Sequence, residues 1–503
     1  MKPENIWISL FALLSLYLAG CASNVVSVDV GRTIAETSRH PVGINMNYLM
    51  DDDAIRKPTQ SVTEAMRKMG VRYLRFPSGE DSDAYLWSVP PYNRPLPTLA
   101  RTGPEEWPAN DLRFTLADQR TLRNTLDFDE FMSIAQAVAA EPVLVICYDS
   151  MYKSAQKSGS APTRQQLLDT AAAWVRYANV TKGYHVRYWE IGNESYLSSY
   201  NGQATAQQYA QDLVDFSTVM KAVDPTIKIG ANGHDDLWWS TILPVAAEKI
   251  DFLVVHMYPL WAWGSYDYYR AQSHNFLRPV DTALEAIKTA APASEQARLQ
   301  VAVTEFNAID YAEKGTWPNA NDLGHALVVF DIMGQILSQP RLAFAQFWAT
   351  RWVNNQTAEI QEVSDALNQF NEFNPVGQAL TIWGQLLGDQ LVAVTAPEPI
   401  LGYATYTPVS RQLTVLLLNK GTVERSLGLT VHNYHAAPWA KSWVFTGNGP
   451  TDTRPTWTRR PDIRVEEPHV SATLAPLSVT AVLFEGSVDA MSFAKPEFRL
   501  VTP

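Results

Sequence analysis

Two glutamates stand where apolar runs stop: Glu194 closes Tyr188-Trp189-Glu190-Ile191-Gly192-Asn193-Glu194, and Glu305 follows Leu299–Thr304. A pair of carboxyls facing one crevice can break an acetal. One protonates the departing oxygen while the other attacks the anomeric carbon or activates water, and a separation of about 5–5.5 Å favours a covalent intermediate and retention. Helpers stand at the ends of other apolar runs, in Arg75-Phe76-Pro77-Ser78-Gly79, His256-Met257-Tyr258-Pro259 and Glu305-Phe306-Asn307. Arg75 and Asn307 are placed to hydrogen-bond the nucleophile and keep it ionised, and Tyr258 to donate to the same oxygen. Asn193 is placed to hold a sugar hydroxyl, and His256 to orient nucleophile or sugar, since two carboxyls already fill the acid and base roles. Glu190 lies deeper in its run and reads as a structural hydrogen-bond partner. As the acid, Glu194 needs a raised pKa, which a negative Glu305 nearby would supply. With no His-Glu-x-x-His and no Cys/His cluster, neither a catalytic metal nor another cofactor is expected. The Asp51-Asp52-Asp53 run reads as a solvated turn, with a calcium site as the alternative.

The elements that must carry these residues alternate. Strand-like runs lie at Val42–Met46, Val71–Phe76, Pro142–Cys147, Val186–Ile191, Ile227–Ala231, Phe252–Met257, Leu299–Thr304 and Leu342–Trp348. Helical patterns lie between them, among them Arg164–Val180, Ala206–Val223 and Leu323–Leu337, with a last helix opening at Asn374-Pro375 and running to Leu387. Eight apolar strands, each followed by a helix, is the count of a (β/α)8 TIM barrel, whose active groups project from the C-terminal strand ends. After about Leu391 the texture changes to turn-separated strands at Tyr403–Thr407, Leu413–Leu418, Leu427–Val431, Ser442–Phe445 and Val479–Phe484. These predict an additional C-terminal antiparallel β-sandwich. The expected division is a barrel over 41–390, a sandwich over 391–487 and a tail over 488–503. Residues 22–40 would be an N-terminal segment whose Val25–Val30 stretch can pair with the sandwich.

The motif Trp189-Glu190-Ile191-Gly192-Asn193-Glu194, with Glu305 ending a later strand, resembles clan A of the retaining glycoside hydrolases. Those "4/7" barrels carry the acid/base on strand four and the nucleophile on strand seven, so the resemblance implies Glu194 and Glu305 for these roles, with Asn193 as the residue before the acid. Within the clan the chain is most similar to family 51 α-L-arabinofuranosidases. Leu74-Arg75-Phe76-Pro77-Ser78-Gly79, followed by Tyr85 and Trp87, resembles their Arg-Tyr-Pro-Gly-Gly segment, and Asp127-Phe128-Asp129-Glu130-Phe131-Met132 resembles the approach to their third strand. The likeness runs from about Gly43 to Gln390. Ser78 departs from it, standing where that family has Gly, and Phe306 stands for Trp. Trp348 is more typical of clan A β-glycosidases and endo-glycanases, where it forms a platform under the sugar. An arabinofuranosidase-like hydrolase is therefore the first expectation and an endo-β-glycanase of xylanase or glucanase type the second. A non-catalytic surface glycan-binding lipoprotein is the alternative from another class.

Composition narrows the partners. The chain has 503 residues, a formal net charge of −12 and only two cysteines, so neither nucleic-acid binding nor a disulfide scaffold is expected. Its 16 Trp, 21 Tyr and 18 Phe suit a carbohydrate substrate but also fill barrel cores. Loop aromatics such as Trp238, Trp239, Trp261, Trp263, Tyr266, Tyr268, Tyr269 and Trp317 are read as sugar subsites or as packing. The apolar run Ile6–Leu18 is too short to span a ~30 Å hydrocarbon core and fits a secretory signal. Leu18-Ala19-Gly20-Cys21 resembles a lipobox, so residues 1–21 read as a lipoprotein signal with Cys21 lipidated, which predicts a lipid-anchored protein of the bacterial envelope, at the periplasmic or surface face of the outer membrane. Cys147, in an apolar run, reads as a buried inert thiol.

Overall fold

Eight short parallel strands close on themselves, and their inward side chains stack in layers. In the computed structural model the barrel strands are Val42–Asn45, Tyr73–Phe76, Glu141–Ile146, Tyr188–Ile191, Lys228–Asn232, Phe252–Met257, Gln300–Phe306 and Leu342–Phe347, each hydrogen-bonded to its neighbours in that order, with the last returning to the first. The structure describes residues 24–487 apart from 103–106, 153–160, 198–203, 261–262, 312–314, 353–361 and 467–468. The signal segment, Cys21, Trp261 and the 488–503 tail lie outside the described residues. All eight runs read from the sequence are strands. Helices Ala206–Val223 and Leu323–Leu337 have the expected bounds, and the last barrel helix is Pro375–Leu386. The Arg164 helix holds α geometry to Val175 and finishes as a π-turn over Arg176–Thr181.

The even strands fill the barrel floor with rings. Tyr73, Tyr188, Phe252 and Phe344 form one layer, with Tyr73 stacked on Phe344 at 4.9 Å and Tyr188 edge-on to Phe344 at 5.0 Å and to Phe252 at 6.0 Å. A layer of four from alternate strands is the packing expected of such a barrel. Two residues further along each strand, by the period of a β-strand, come Arg75, Glu190, Val254 and Gln346, all fully buried. The hydrophobic plug therefore ends where the charged groups begin.

The C-terminal region is a nine-stranded, mostly antiparallel sheet folded around its own core, in line with the expected C-terminal β domain. Its order is Thr456–Arg464, Trp439–Thr446, Ser478–Glu485, Gln412–Asn419, Ile400–Thr407, Gln390–Thr395, Val25–Glu36, Arg425–His432 and His469–Leu474. The N-terminal Val25–Glu36 lies inside it, antiparallel to Gln390–Thr395 and parallel to Arg425–His432. That parallel pair is the exception to the antiparallel pattern. The hairpin between Trp439–Thr446 and Thr456–Arg464 reaches the barrel, where Leu323 N–H donates to Asp452 O at 2.8 Å and Gly324 N–H to Pro450 O at 2.7 Å.

Asp51 is not part of a solvated turn. It is fully buried, ion-paired to Arg351, and accepts from Thr350 Oγ1 at 2.6 Å and from Asn47 N at 2.8 Å. Asp52 caps the short turn Asp53–Ile55 by accepting from Ala54 N, and Asp53 pairs with Arg56 at 3.0 Å. Each carboxylate of the run has a protein donor or cation, and the three do not gather into one ligand cluster among the described residues. No helix among the described residues is long and apolar enough to cross a membrane.

Candidate active site

Arg75 organises the floor of the mouth. Its Nε and Nη2 donate to Glu190 Oε2 and Oε1 at 2.9 and 3.0 Å, its Nη1 to Glu305 Oε1 at 2.8 Å and to Asn45 Oδ1 at 2.9 Å, and its Nη2 to Asn193 Oδ1 at 2.8 Å. The guanidinium is fully buried and its two carboxylate partners raise its pKa, so it stays charged. Glu190 is thus the structural partner of Arg75, and Asn193 joins the same network.

Glu305 receives a second donor on its other oxygen, Tyr258 Oη at 2.6 Å. Burial raises its pKa, opposed by His256, Arg75 and the Tyr258 hydrogen bond. Strict strand alternation would not aim both Thr304 and Glu305 at the mouth. Opposite Val255 and His256 the seventh strand steps from Val303 to Glu305, so one extra residue is inserted. That β-bulge re-aims Glu305, a known use of bulges beside active sites. Thr304 is turned toward His256, with Oγ1 3.1 Å from Nε2.

Glu194 sits on a tight turn after the fourth strand, with φ of 51° at Glu194 and 72° at Gly192. It is half-buried, and burial raises its pKa. Its Oε1 lies 2.8 Å from His256 Nδ1 and 3.3 Å from Tyr196 Oη. Burial lowers the pKa of His256, so the ring is neutral at neutral pH. With its hydrogen on Nδ1, His256 donates to Glu194 Oε1, accepts from Thr304, and leaves the other Glu194 oxygen to hold a transferable proton. His256 therefore orients Glu194 first; its Nδ1 is 3.5 Å from Glu305 Oε2.

One carboxyl oxygen of Glu194 and one of Glu305 lie within 4.8 Å of each other, together with a ring nitrogen of His256. Among the described residues this is the grouping whose ligand atoms stand close enough to hold a metal ion. Both Glu305 oxygens, however, are already met by Arg75 and Tyr258, a donor set that suits a carboxylate poised to attack carbon. Two carboxyls this near one another leave little room for a water between them, as in enzymes that retain configuration.

One expected helper acts differently. Asn307 does not bond Glu305: its Nδ2 donates to the Trp348 carbonyl and to Ser364 O at 3.0 Å, and its Oδ1 accepts from Ala308 N. It fixes the backbone under Trp348, because the side chain two residues beyond the bulge faces the eighth strand. Trp348 is 5% exposed and packs with Ile309, Ala349, Tyr258 and Trp352, the last at 5.2 Å between ring centroids.

Three residues without an assigned role complete the site. Asn45 ends the first strand, and its Nδ2 donates to Thr304 O at 2.8 Å and Phe347 O at 3.2 Å, tying strands one, seven and eight. It is a polar residue closing an apolar run, which was the available signal. A Cβ on Gly79 would collide with Glu305 Oε1 and lie 2.6 Å from the Trp348 ring, so only glycine lets this loop approach. Tyr196 carries its ring against His234 at 5.3 Å. Most loop aromatics pack: Trp239 is fully buried, and Trp263 packs against His274 at 4.5 Å and stacks on Trp317 at 6.3 Å. Cys147 is buried and donates to Asp83 O.

Residues 65–274 match the family model described as "Alpha-L-arabinofuranosidase 1 domain". The chain is 27% identical over 241 residues to "Alpha-L-arabinofuranosidase C" of Emericella nidulans, 42% of each protein being covered. It is 26% identical over 233 residues to "Intracellular exo-alpha-(1->5)-L-arabinofuranosidase 1" of Bacillus subtilis, covering 41% of this chain and 40% of that one. The chain thus spans about two fifths of the length of the curated relatives it matches. In fold it is similar to the α-L-arabinofuranosidase of Thermotoga maritima, with a TM-score of 0.69 and 20% identity over 92% of this chain and 99% of that one. It is also similar to CelM2, "a bifunctional glucanase-xylanase protein from a metagenome library", with a TM-score of 0.64 and 15% identity over the same shares. The likeness to a clan A, family 51-like barrel read from the motifs agrees with these matches.

Proposed function

We propose that this family 51-like barrel is a retaining glycoside hydrolase of α-L-arabinofuranosidase type, with Glu305 as nucleophile and Glu194 as acid/base. The observation that carries this is the pair of carboxyls with an oxygen of each within 4.8 Å, held by different partners. Burial raises the pKa of both, but Glu305 is held between a guanidinium and a phenol that oppose the rise, while Glu194 lies beside the His256 ring. Glu305 attacks the anomeric carbon as Glu194 protonates the leaving oxygen. In the second step Glu194, now ionised, takes a proton from water, which displaces Glu305. The name of the domain model and of the relatives supports arabinofuranose as the sugar, and Trp348 beside Glu305 suits a sugar ring face.

The test is hydrolysis of an aryl α-L-arabinofuranoside, with the anomer of the first-formed product read by proton NMR. Release of arabinose with retained configuration supports the reading. A fall in viscosity of xylan or glucan with no action on the arabinofuranoside would replace it by an endo-glycanase, and binding of a polysaccharide without cleavage would replace it by a glycan-binding role.

We further propose, from the sequence alone, that Cys21 is the acylated N-terminus of an envelope lipoprotein, with Ala22 after it suiting the outer membrane. Full-length protein should label with a radioactive fatty acid and fractionate with membranes. Cys21→Ser that labels and fractionates identically would overturn the proposal.

A further inference from the structure

Glu194 occupies the left-handed backbone region, which a residue bearing a Cβ enters only at an energetic cost. Something must hold it there, and three buried polar side chains from three strand ends do so. Asp149, just past the third strand, accepts with one oxygen, Oδ2, from Ser195 Oγ at 2.9 Å and from Asn193 N at 3.2 Å. Asn232, the last residue of the fifth strand, accepts from Ser195 N at 2.9 Å. Its Nδ2 donates to Ile191 O at 2.9 Å and to Ser195 Oγ at 3.2 Å. Tyr209, from helix Ala206–Val223, closes the arrangement by donating to Ile191 O at 2.7 Å. Asp149 and Asn232 are fully buried and Ser195 is 1% exposed. Gly192 must be glycine here: it is left-handed, and a Cβ would meet Ser195 Oγ at 2.6 Å and Asp149 Oδ2 at 2.7 Å. Both residues flanking Glu194 are thereby pinned.

We propose that Asp149, Ser195 and Asn232 are positioning residues that lock the Glu194 turn, and so determine how well the enzyme protonates its leaving group. The inference rests on Glu194 being the acid/base. Loss of the lock lets the turn relax and swings the carboxyl off the leaving oxygen, and a misplacement of about 1 Å can cost about 100-fold. The deficit falls only on steps that need the proton. Glu305, held by Arg75 and Tyr258, keeps its geometry.

The experiment compares kcat/KM for two arabinofuranosides: a 2,4-dinitrophenyl one, whose phenolate departs without a proton, and one with a sugar aglycone, which needs it. Ser195→Ala and Asp149→Asn should each lose about 10- to 100-fold on the sugar aglycone and at most about threefold on the dinitrophenyl compound. Ser195→Thr, which keeps the hydroxyl, should recover most of the loss. Equal losses on both substrates, or no loss on either, overturn the proposal. Glu194→Ala run in parallel separates the two levels: if it too shows no dependence on the leaving group, it is the acid/base assignment that fails, and the positioning role with it.

Discussion

Arg75 binds Glu305 and Glu190 at once, reaching Glu305 Oε1 at 2.8 Å with Nη1 while Nε and Nη2 grip Glu190. One buried cation thus serves two buried anions, and the layer beneath it is aromatic. Its removal would leave two buried carboxylates without a counter-charge.

Arg75→Met should therefore cost about 3–5 kcal/mol of stability, as expected when one partner of a buried ion pair is deleted. Chemical denaturation of wild type and variant checks this. Arg75→Lys should fold better yet still lose most activity, because an ammonium lacks the planar fork that spans Glu190 and Glu305.

Gly79→Ala should damage catalysis more than folding. The added methyl would meet Glu305 Oε1 and the Trp348 ring, and these must move apart to admit it. A fall in kcat/KM of about 100-fold with little change in Tm is expected, given the sensitivity of reacting geometry to shifts of about 1 Å.

Tyr258→Phe carries a signed pH prediction. The Tyr258 hydrogen bond lowers the pKa of Glu305 against the upward push of burial. Its removal favours the protonated, inactive form of the nucleophile, so the acid limb of the kcat/KM profile should move to higher pH. The basic limb belongs to Glu194, which must be protonated to act as the acid, and should stay. Movement of the basic limb instead would reassign the two carboxyls.

Much of this site was legible because barrel chemistry sits where apolar runs stop, and Glu194, Glu305, Arg75, His256 and Tyr258 all stand at such places. What was not legible depends on local breaks in regularity. The bulge at Thr304 turns Glu305 inward and leaves Asn307 facing the eighth strand, and no residue pattern announces an inserted register step. Asp51 looked solvated because its partner Arg351 is 300 positions away in sequence. In the C-terminal sheet, Thr456–Arg464 escaped notice because an exposed edge strand tolerates Arg459, Arg460, Pro461 and Asp462.

The buried Asp51–Arg351 pair should show the asymmetry of buried charges. Asp51→Ala alone should lower stability by about 3–5 kcal/mol, because the buried guanidinium loses its counter-ion. Adding Arg351→Met should restore part of the loss. A double variant as unstable as the sum of the two single variants would contradict the pairing as the source of the cost.

The central claim is the division of labour between Glu305 and Glu194, and azide tests it directly. Glu305→Ala, given an activated aryl α-L-arabinofuranoside and sodium azide, should regain turnover and release the inverted β-L-arabinofuranosyl azide. Glu194→Ala under the same conditions should yield the retained α-azide, because its covalent intermediate still forms on Glu305. Exchange of the two products between the variants, or no azide product from Glu305→Ala alongside an active wild type, would contradict the account.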